Sequence, residues 1–213
     1  RYVDVLENKL EVLNLTWEVR DGIARHSKAK HGMPVGAPPE HRASTIEGQV
    51  ARVADIVAYV NHNIDDAVRA GIMGETSLPK DAVNLLGHSS SQRIGKLVTD
   101  VVHQSLDGGL TEIRMSEPVL NALVALRSYL FDAVYENEVA TAEFAKASGI
   151  LGGLWEKVRQ KPEDFLDLRT VEAEGVDVAA QDFLAGMTDR YAVRLFEQLF
   201  TPKPWVETGG RLD

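Results

Sequence analysis

Apolar residues in this chain recur at helical spacing in nearly every periodic segment, and strand-like alternation is scarce. That spacing places them on one face of a spiral with about 3.6 residues per turn, whereas a half-buried strand needs a period of two. The pattern therefore predicts an all-α chain. With 213 residues, 44% of them hydrophobic, it is long enough to bury one sizeable core.

Stop and start signals divide the pattern. A first helix is expected over about Val3–Leu13, and a second, capped by Asn14 or Thr16, runs to about His26. Residues 27–43 read as a loop, because Gly32, Pro34, Gly36, Pro38 and Pro39 interrupt any helix. Ser44-Thr-Ile-Glu47 has the form of a capping box and opens a long helix to about Ala70, with Gly71 as its stop. Pro79 opens a short helix ending near Gly87. The serines at 89–91 cap another, whose apolar row is Ile94, Leu97, Val98, Val101 and Val102. Ser116-Glu-Pro118 starts a helix to about Tyr135 that is apolar nearly all round and is therefore expected to be buried. Two further helical regions are expected at about 138–160 and 177–200, closed by Pro202 and Pro204.

The formal charge of −9 makes the chain a poor general binder of nucleic acid. The chain contains no Cys, which excludes disulfides, thiolate metal sites and a cysteine nucleophile, and is compatible with a cytoplasmic location. No apolar run is long enough to span a bilayer.

The long helix has an unusual polar side. At about 100° per residue, Val50, Val53, Val57, Val60, Ile64 and Val68 fall on one side, and Asp55, Tyr59, His62, Asn63 and Asp66 fall on the other, joined by Arg52. Two readings are open: a solvated face, or a face turned to a cleft. In a cleft, Asp55 would serve as an acceptor or a hard-metal ligand, and Tyr59 would offer a flat ring and a hydroxyl.

The run "ADIVAYVNHNIDD" (54–66) resembles the closing motif, roughly "ADxIAYxxHDxDD", of the HD-domain dNTP triphosphohydrolases of the dGTPase type. "LNLTWEVRDGIARHS" (13–27), "TIEGQVARVAD" (45–55), "RAGIM" (69–73), "IRMSEPVLNALVALRSYLFDAVY" (113–135) and "AGMTDRYAVRLFEQLF" (185–200) resemble the same group in the same order. The resemblance implies an HD-type helical bundle, with residues 1–213 a single all-α domain fragment in which 1–75 are the remainder of a catalytic core and 76–213 a C-terminal helical region. It implies a homo-oligomer that hydrolyses a dNTP to deoxynucleoside and triphosphate with a divalent metal ion, Mg or Mn. Asp55 would be the last metal ligand of an H…HD…D set, and Tyr59 would pack on the sugar. Asn63 stands where the family has an Asp near the 3′-hydroxyl, which keeps a hydrogen-bonding group but removes a charge. Asp65 and Asp66 complete the motif, with Asp66 counted among the substrate-facing residues.

Three phosphates need cationic donors. Residues 20–42 hold Arg20, Arg25, Lys28, Lys30 and Arg42 against Asp21 and Glu40, so Arg25 and Lys28 are candidate phosphate contacts or parts of a solvated loop. His26 and His62 are candidate acids or structural histidines. None of the six histidines is followed by Asp, so the His…His-Asp part of the set is not found here. The start at Arg1, inside an amphipathic pattern, leads to the expectation of the later part of a longer protein that is inactive by itself. The alternatives are a non-catalytic nucleotide-binding or assembly module, or another HD-type nucleotide phosphohydrolase.

Overall fold

The structure is a computed structural model that describes residues 1–7, 13–26, 35–135 and 138–202. All regular structure among them is helical, as the periodicity predicts. The chain divides into two compact units, Arg1–Ala140 and Thr141–Asp213.

In the first unit, the expected first helix is present as a π-type turn, Tyr2–Leu6, and its continuation over 8–12 lies outside the described residues. Helix α1 is Trp17–His26, with the Thr16 hydroxyl accepting from the Val19 N–H at 3.5 Å. Helix α2, Ile46–Arg69, is the long one; it ends at Ala70 with Gly71 at φ +69°, a left-handed conformation that suits Gly. Its N-cap corrects the sequence expectation. Thr45, not Ser44, caps it, accepting from the Gly48 N–H at 3.1 Å, and Glu47 completes no box. Ser44 is used elsewhere: its N–H and hydroxyl both donate to the Asp21 carboxylate, at 2.8 and 3.0 Å, tying the loop to α1.

Helices α3 (Lys80–Leu86), α4 (Ser90–Asp107) and α5 (Glu117–Leu130) follow, with α5 running into a π-type turn over Phe131–Tyr135. The serine cluster caps α4 as expected, through a reciprocal Ser89–Gln92 box. The core joins Ile56, Val60 and Ile64 of α2 to Leu86 of α3, Leu97 of α4, and Leu123, Leu126 and Leu130 of α5. Each such side chain contributes about 1.5–3 kcal/mol by leaving water. Helices α1 and α2 meet at two glycines: a Cβ on Gly48 would lie 2.7 Å from the Ala43 Cβ and 3.2 Å from the Gly22 Cα, so only glycine permits this approach.

Not every periodic apolar residue is buried. Trp17, Val19 and Ile23 of α1 are exposed, as are Val98 and Val102 of α4, whereas Leu97 is fully buried.

In the second unit, α6 (Glu138–Gln160, all but its first residues) appears where expected. The helical region expected over about 177–200 consists of two helices, α8 (Val176–Ala185) and α9 (Asp189–Phe200), because Gly186 closes the first and Thr188 caps the second, accepting from the Tyr191 N–H at 3.3 Å. A further short helix, α7 (Leu168–Glu174), was not expected; Asp167 caps it, and Gly175 at φ +90° ends it. Leu154, Ala192 and Leu195 form this unit's centre. Helix α9 ends before Pro202; Pro204 lies outside the described residues.

Candidate functional site

Helix α2 has three distinct sides. One is core. A second carries Asp55, Tyr59, Asn63 and Asp66. The third, lined by Val50, Ala54 and Ala58, faces an apolar groove beside α4. The sequence reading recognised two sides and placed Val50 on the same side as Val53, Val57 and Val60; those three are buried, whereas Val50 is 47% exposed.

The second side carries Asp55, Tyr59 and Asn63, the residues expected from the sequence to meet a metal and a sugar. Asp55 is exposed, Tyr59 is half-buried with its ring against the core, and Asn63 is half-buried one turn beyond. Asp66 is exposed and accepts from Arg69 at 2.9 Å. His62 is not grouped with them: its side chain lies at the edge of the apolar groove.

The cationic segment is only partly brought to this helix. The Arg25 guanidinium donates to the Asp21 carboxylate and to the Glu40 carbonyl, which braces α1 against the loop. The backbone carbonyl of Arg25 accepts from Arg52 of α2 at 3.0 Å. The Ser44 N–H, then Arg25, hold the Asp21 carboxyl below the ordinary carboxylate range. The His26 Nδ1 lies 2.6 Å from the Ile23 carbonyl; a carbonyl only accepts, so Nδ1 carries the proton and the ring closes the end of α1. Lys28 lies outside the described residues.

The structure adds a residue that sequence reasoning passed over. Arg127 sits on the apolar helix α5, is buried, and lies with its guanidinium 5.6 Å from the Phe131 ring centre. Arg52 is buried as well; burial, and then the charge of Arg127, lower its pKa. The two guanidiniums are therefore close enough for the charge of one to act on the other. The signal in the sequence was the lone basic residue on a helix apolar nearly all round, since arginine is seldom buried without a partner.

Among the described residues, no group of three His, Asp or Glu side chains converges in a way that would hold a metal ion. A protein metal site generally needs about three or more ligands. Asp55 offers one, so the described residues do not by themselves fit a divalent metal.

Comparison with known proteins adds what geometry alone leaves open. Residues 113–198 match the phosphohydrolase-associated domain family. A deoxyguanosinetriphosphate triphosphohydrolase-like protein of Caldanaerobacter subterraneus subsp. tengcongensis is 39% identical over 211 residues, 97% of this chain and 58% of the relative. Proteins of the same name from Clostridium tetani (37% over 210 residues, 95% of this chain and 58% of the relative) and Clostridium perfringens strain 13 (40% over 196 residues, 90% and 55%) are similar. The chain thus spans somewhat more than half the length of these relatives.

Proposed function

This chain is a homologue of the deoxyguanosinetriphosphate triphosphohydrolase-like proteins along nearly its whole length, and from that premise we propose that it is part of a metal-dependent hydrolase. The reaction is dNTP plus water to deoxynucleoside plus triphosphate. The observation that carries this reading is the single side of α2 that presents Asp55, Tyr59 and Asn63 in successive turns, away from the core, in a chain so similar to proteins of that name.

In this reading Asp55 supplies one hard oxygen ligand to a divalent ion, Mg or Mn, whose other ligands come from outside the described residues. Tyr59 gives the deoxyribose a flat wall backed by the core, so its ring is held rather than free to swing. The Asn63 amide meets the 3′-hydroxyl, and Asp66 stands one turn further along. Arg52 and Arg127 supply the buried positive charge that a polyphosphate needs, a role the sequence reading gave to Arg25 and Lys28. Arg25 contributes through its brace to the loop. Residues 1–75 belong to the catalytic core and 76–213 to the accompanying helical region. The working protein is a cytoplasmic homo-oligomer.

A non-catalytic nucleotide-binding module is the second reading. It is favoured by the lack, among the described residues, of three converging metal ligands.

The test uses a chimera in which this chain replaces its matching stretch in the Caldanaerobacter relative. Triphosphate release from dGTP is measured with Mg²⁺ or Mn²⁺, with and without Asp55→Ala. The variant is expected to lose activity and keep its helical circular dichroism, because Asp55 is exposed and Ala suits a helix. Near-normal turnover would remove Asp55 from the site. The 213-residue chain alone is expected to release negligible triphosphate, and robust turnover by it would refute the view that further ligands are required.

A further inference from the structure

We propose that Asp21 is a positioning residue for the polyphosphate site: it fixes the end of α1 so that the Arg25 backbone carbonyl aims the Arg52 guanidinium. The proposal rests on the hydrolase reading, which makes Arg52 a hydrogen-bond donor to phosphate.

Apolar packing does little to hold α1. Among its residues only Gly22 is buried, and Trp17, Val19 and Ile23 are exposed. Its crossing with α2 is a contact of glycines, where a Cβ on Gly22 would lie 3.3 Å from the Gly48 Cα. Glycines let two backbones approach closely, but they bring no side chains to interlock. Polar bonds must therefore set the angle at which α1 lies.

Asp21 stands beside Gly22 and supplies such bonds. Its side chain is 7% exposed. One carboxylate oxygen accepts from the Arg25 Nε, and the other from the Ser44 N–H at 2.8 Å and the Ser44 hydroxyl at 3.0 Å. The Arg25 Nη1 donates onward to the Glu40 carbonyl. Together the two side chains clasp α1 to residues 40–44, the segment that leads into α2. Bonds to a carboxylate or a guanidinium are about twice as strong as those between neutral groups, so this clasp outweighs the glycine contact in fixing direction.

The clasp reaches the site through the main chain. The last four carbonyls of a helix have no partner within it and form the negative end of its dipole. Arg25 is the last residue of α1 but one, and its carbonyl accepts from the Arg52 Nη1 at 3.0 Å. Arg52 needs such a partner, because burial and then the charge of Arg127 both work against its own charge. The helix end offsets them. It also orients the guanidinium, which grips phosphate through a planar fork, so that its direction matters as much as its charge. A tilt of α1 about the glycine contact would carry the Arg25 carbonyl away from Arg52, and the Asp21 clasp prevents that tilt.

The first arm of the test uses the 213-residue chain and needs no activity. Hydrogen exchange of the arginine side-chain N–H groups is followed by NMR with ¹⁵N-labelled arginine. Arg93 is the internal reference, since it is buried and bonded to Asn61 and His88. In Asp21→Ala, exchange at Arg52 relative to Arg93 is expected to rise by at least about tenfold, because a released group exchanges without global unfolding. Asp21→Asn keeps one acceptor oxygen and should fall between. An unchanged ratio overturns the proposal, since a general loss of stability would speed both arginines alike. The second arm uses the active chimera described above. Asp21→Ala is expected to raise KM for dGTP by about threefold to thirtyfold with little change in kcat, as loss of a ground-state contact does. In an Arg52→Ala background the same change should add less than about twofold, because the two residues act in series. An equal rise in both backgrounds overturns the proposal. A raised exchange ratio beside a chimera that releases no triphosphate would leave the clasp standing and refute the hydrolase reading, so the two failures are distinguishable.

Discussion

Arg93 provides a quantitative test of how α2 is held in place. This arginine of α4 is 2% exposed. Its Nε donates to the Asn61 side-chain oxygen at 2.8 Å and Nη1 to the His88 carbonyl at 2.8 Å, with Nη2 3.6 Å from the Asp65 carboxylate. Asn61 is itself fully buried and gives its own N–H to the Val57 carbonyl at 2.8 Å. Arg93→Met keeps most of the aliphatic stem and removes the donors. The Asn61 oxygen is then buried without this partner, which costs about 1–3 kcal/mol. The His88 carbonyl adds less, since it is nearer water, and Asp65 adds little because it is 40% exposed. The total is about 2–4 kcal/mol. At about 2–4 °C per kcal/mol for a chain of this size, Tm should fall by about 5–15 °C. Urea unfolding followed by helical circular dichroism measures it directly. Asn61→Leu removes the orphaned acceptor, so the double variant should recover about 1–3 kcal/mol relative to the sum of the single ones. Single costs that add to within about 0.5 kcal/mol would refute the claim that this hydrogen bond fastens α4 to α2.

Two further outcomes are expected. In an active chimera, Asn63→Asp should raise kcat/KM for a dNTP by about threefold to thirtyfold, since a charged acceptor exceeds a neutral one by about 0.7–2 kcal/mol; a 2′,3′-dideoxy substrate should show no such gain, and an equal gain for both would detach Asn63 from the 3′-hydroxyl. The depressed Asp21 pKa means that its bonds to Ser44 and Arg25 add stability above the ordinary carboxylate pKa of about 3.9, and that this contribution is lost as pH falls through the lower folded value. Asp21→Asn should therefore flatten the acid limb of stability below about pH 4, and an acid limb of unchanged slope would show that this carboxylate does not contribute to it.

Much of the architecture was legible in one dimension because it is set locally. The period of the apolar residues gave helices throughout. Pro79, Gly87, Ser89 and Gly71 bounded them by rules that concern only a residue's own φ and its nearest backbone partners. The grouping of Asp55, Tyr59 and Asn63 on one side of α2 was equally local, a consequence of helical pitch. The cap at Thr45 was misplaced by one residue because Ser44 was drawn to Asp21, a partner 23 positions away that no capping rule takes into account.

What only the tertiary structure decided is which apolar residues find partners. Val98 and Leu97 are adjacent in sequence and alike in chemistry, yet one is half exposed and the other fully buried, because the helices packed around α4 cover only one of its sides. The same packing buried Arg127 beside Arg52, and it left α2 with a third, apolar side where the sequence pattern offered only two. Periodicity fixes the direction in which a side chain leaves its helix; whether something waits there depends on contacts between distant parts of the chain, and these carry no signature in the spacing of residues along it.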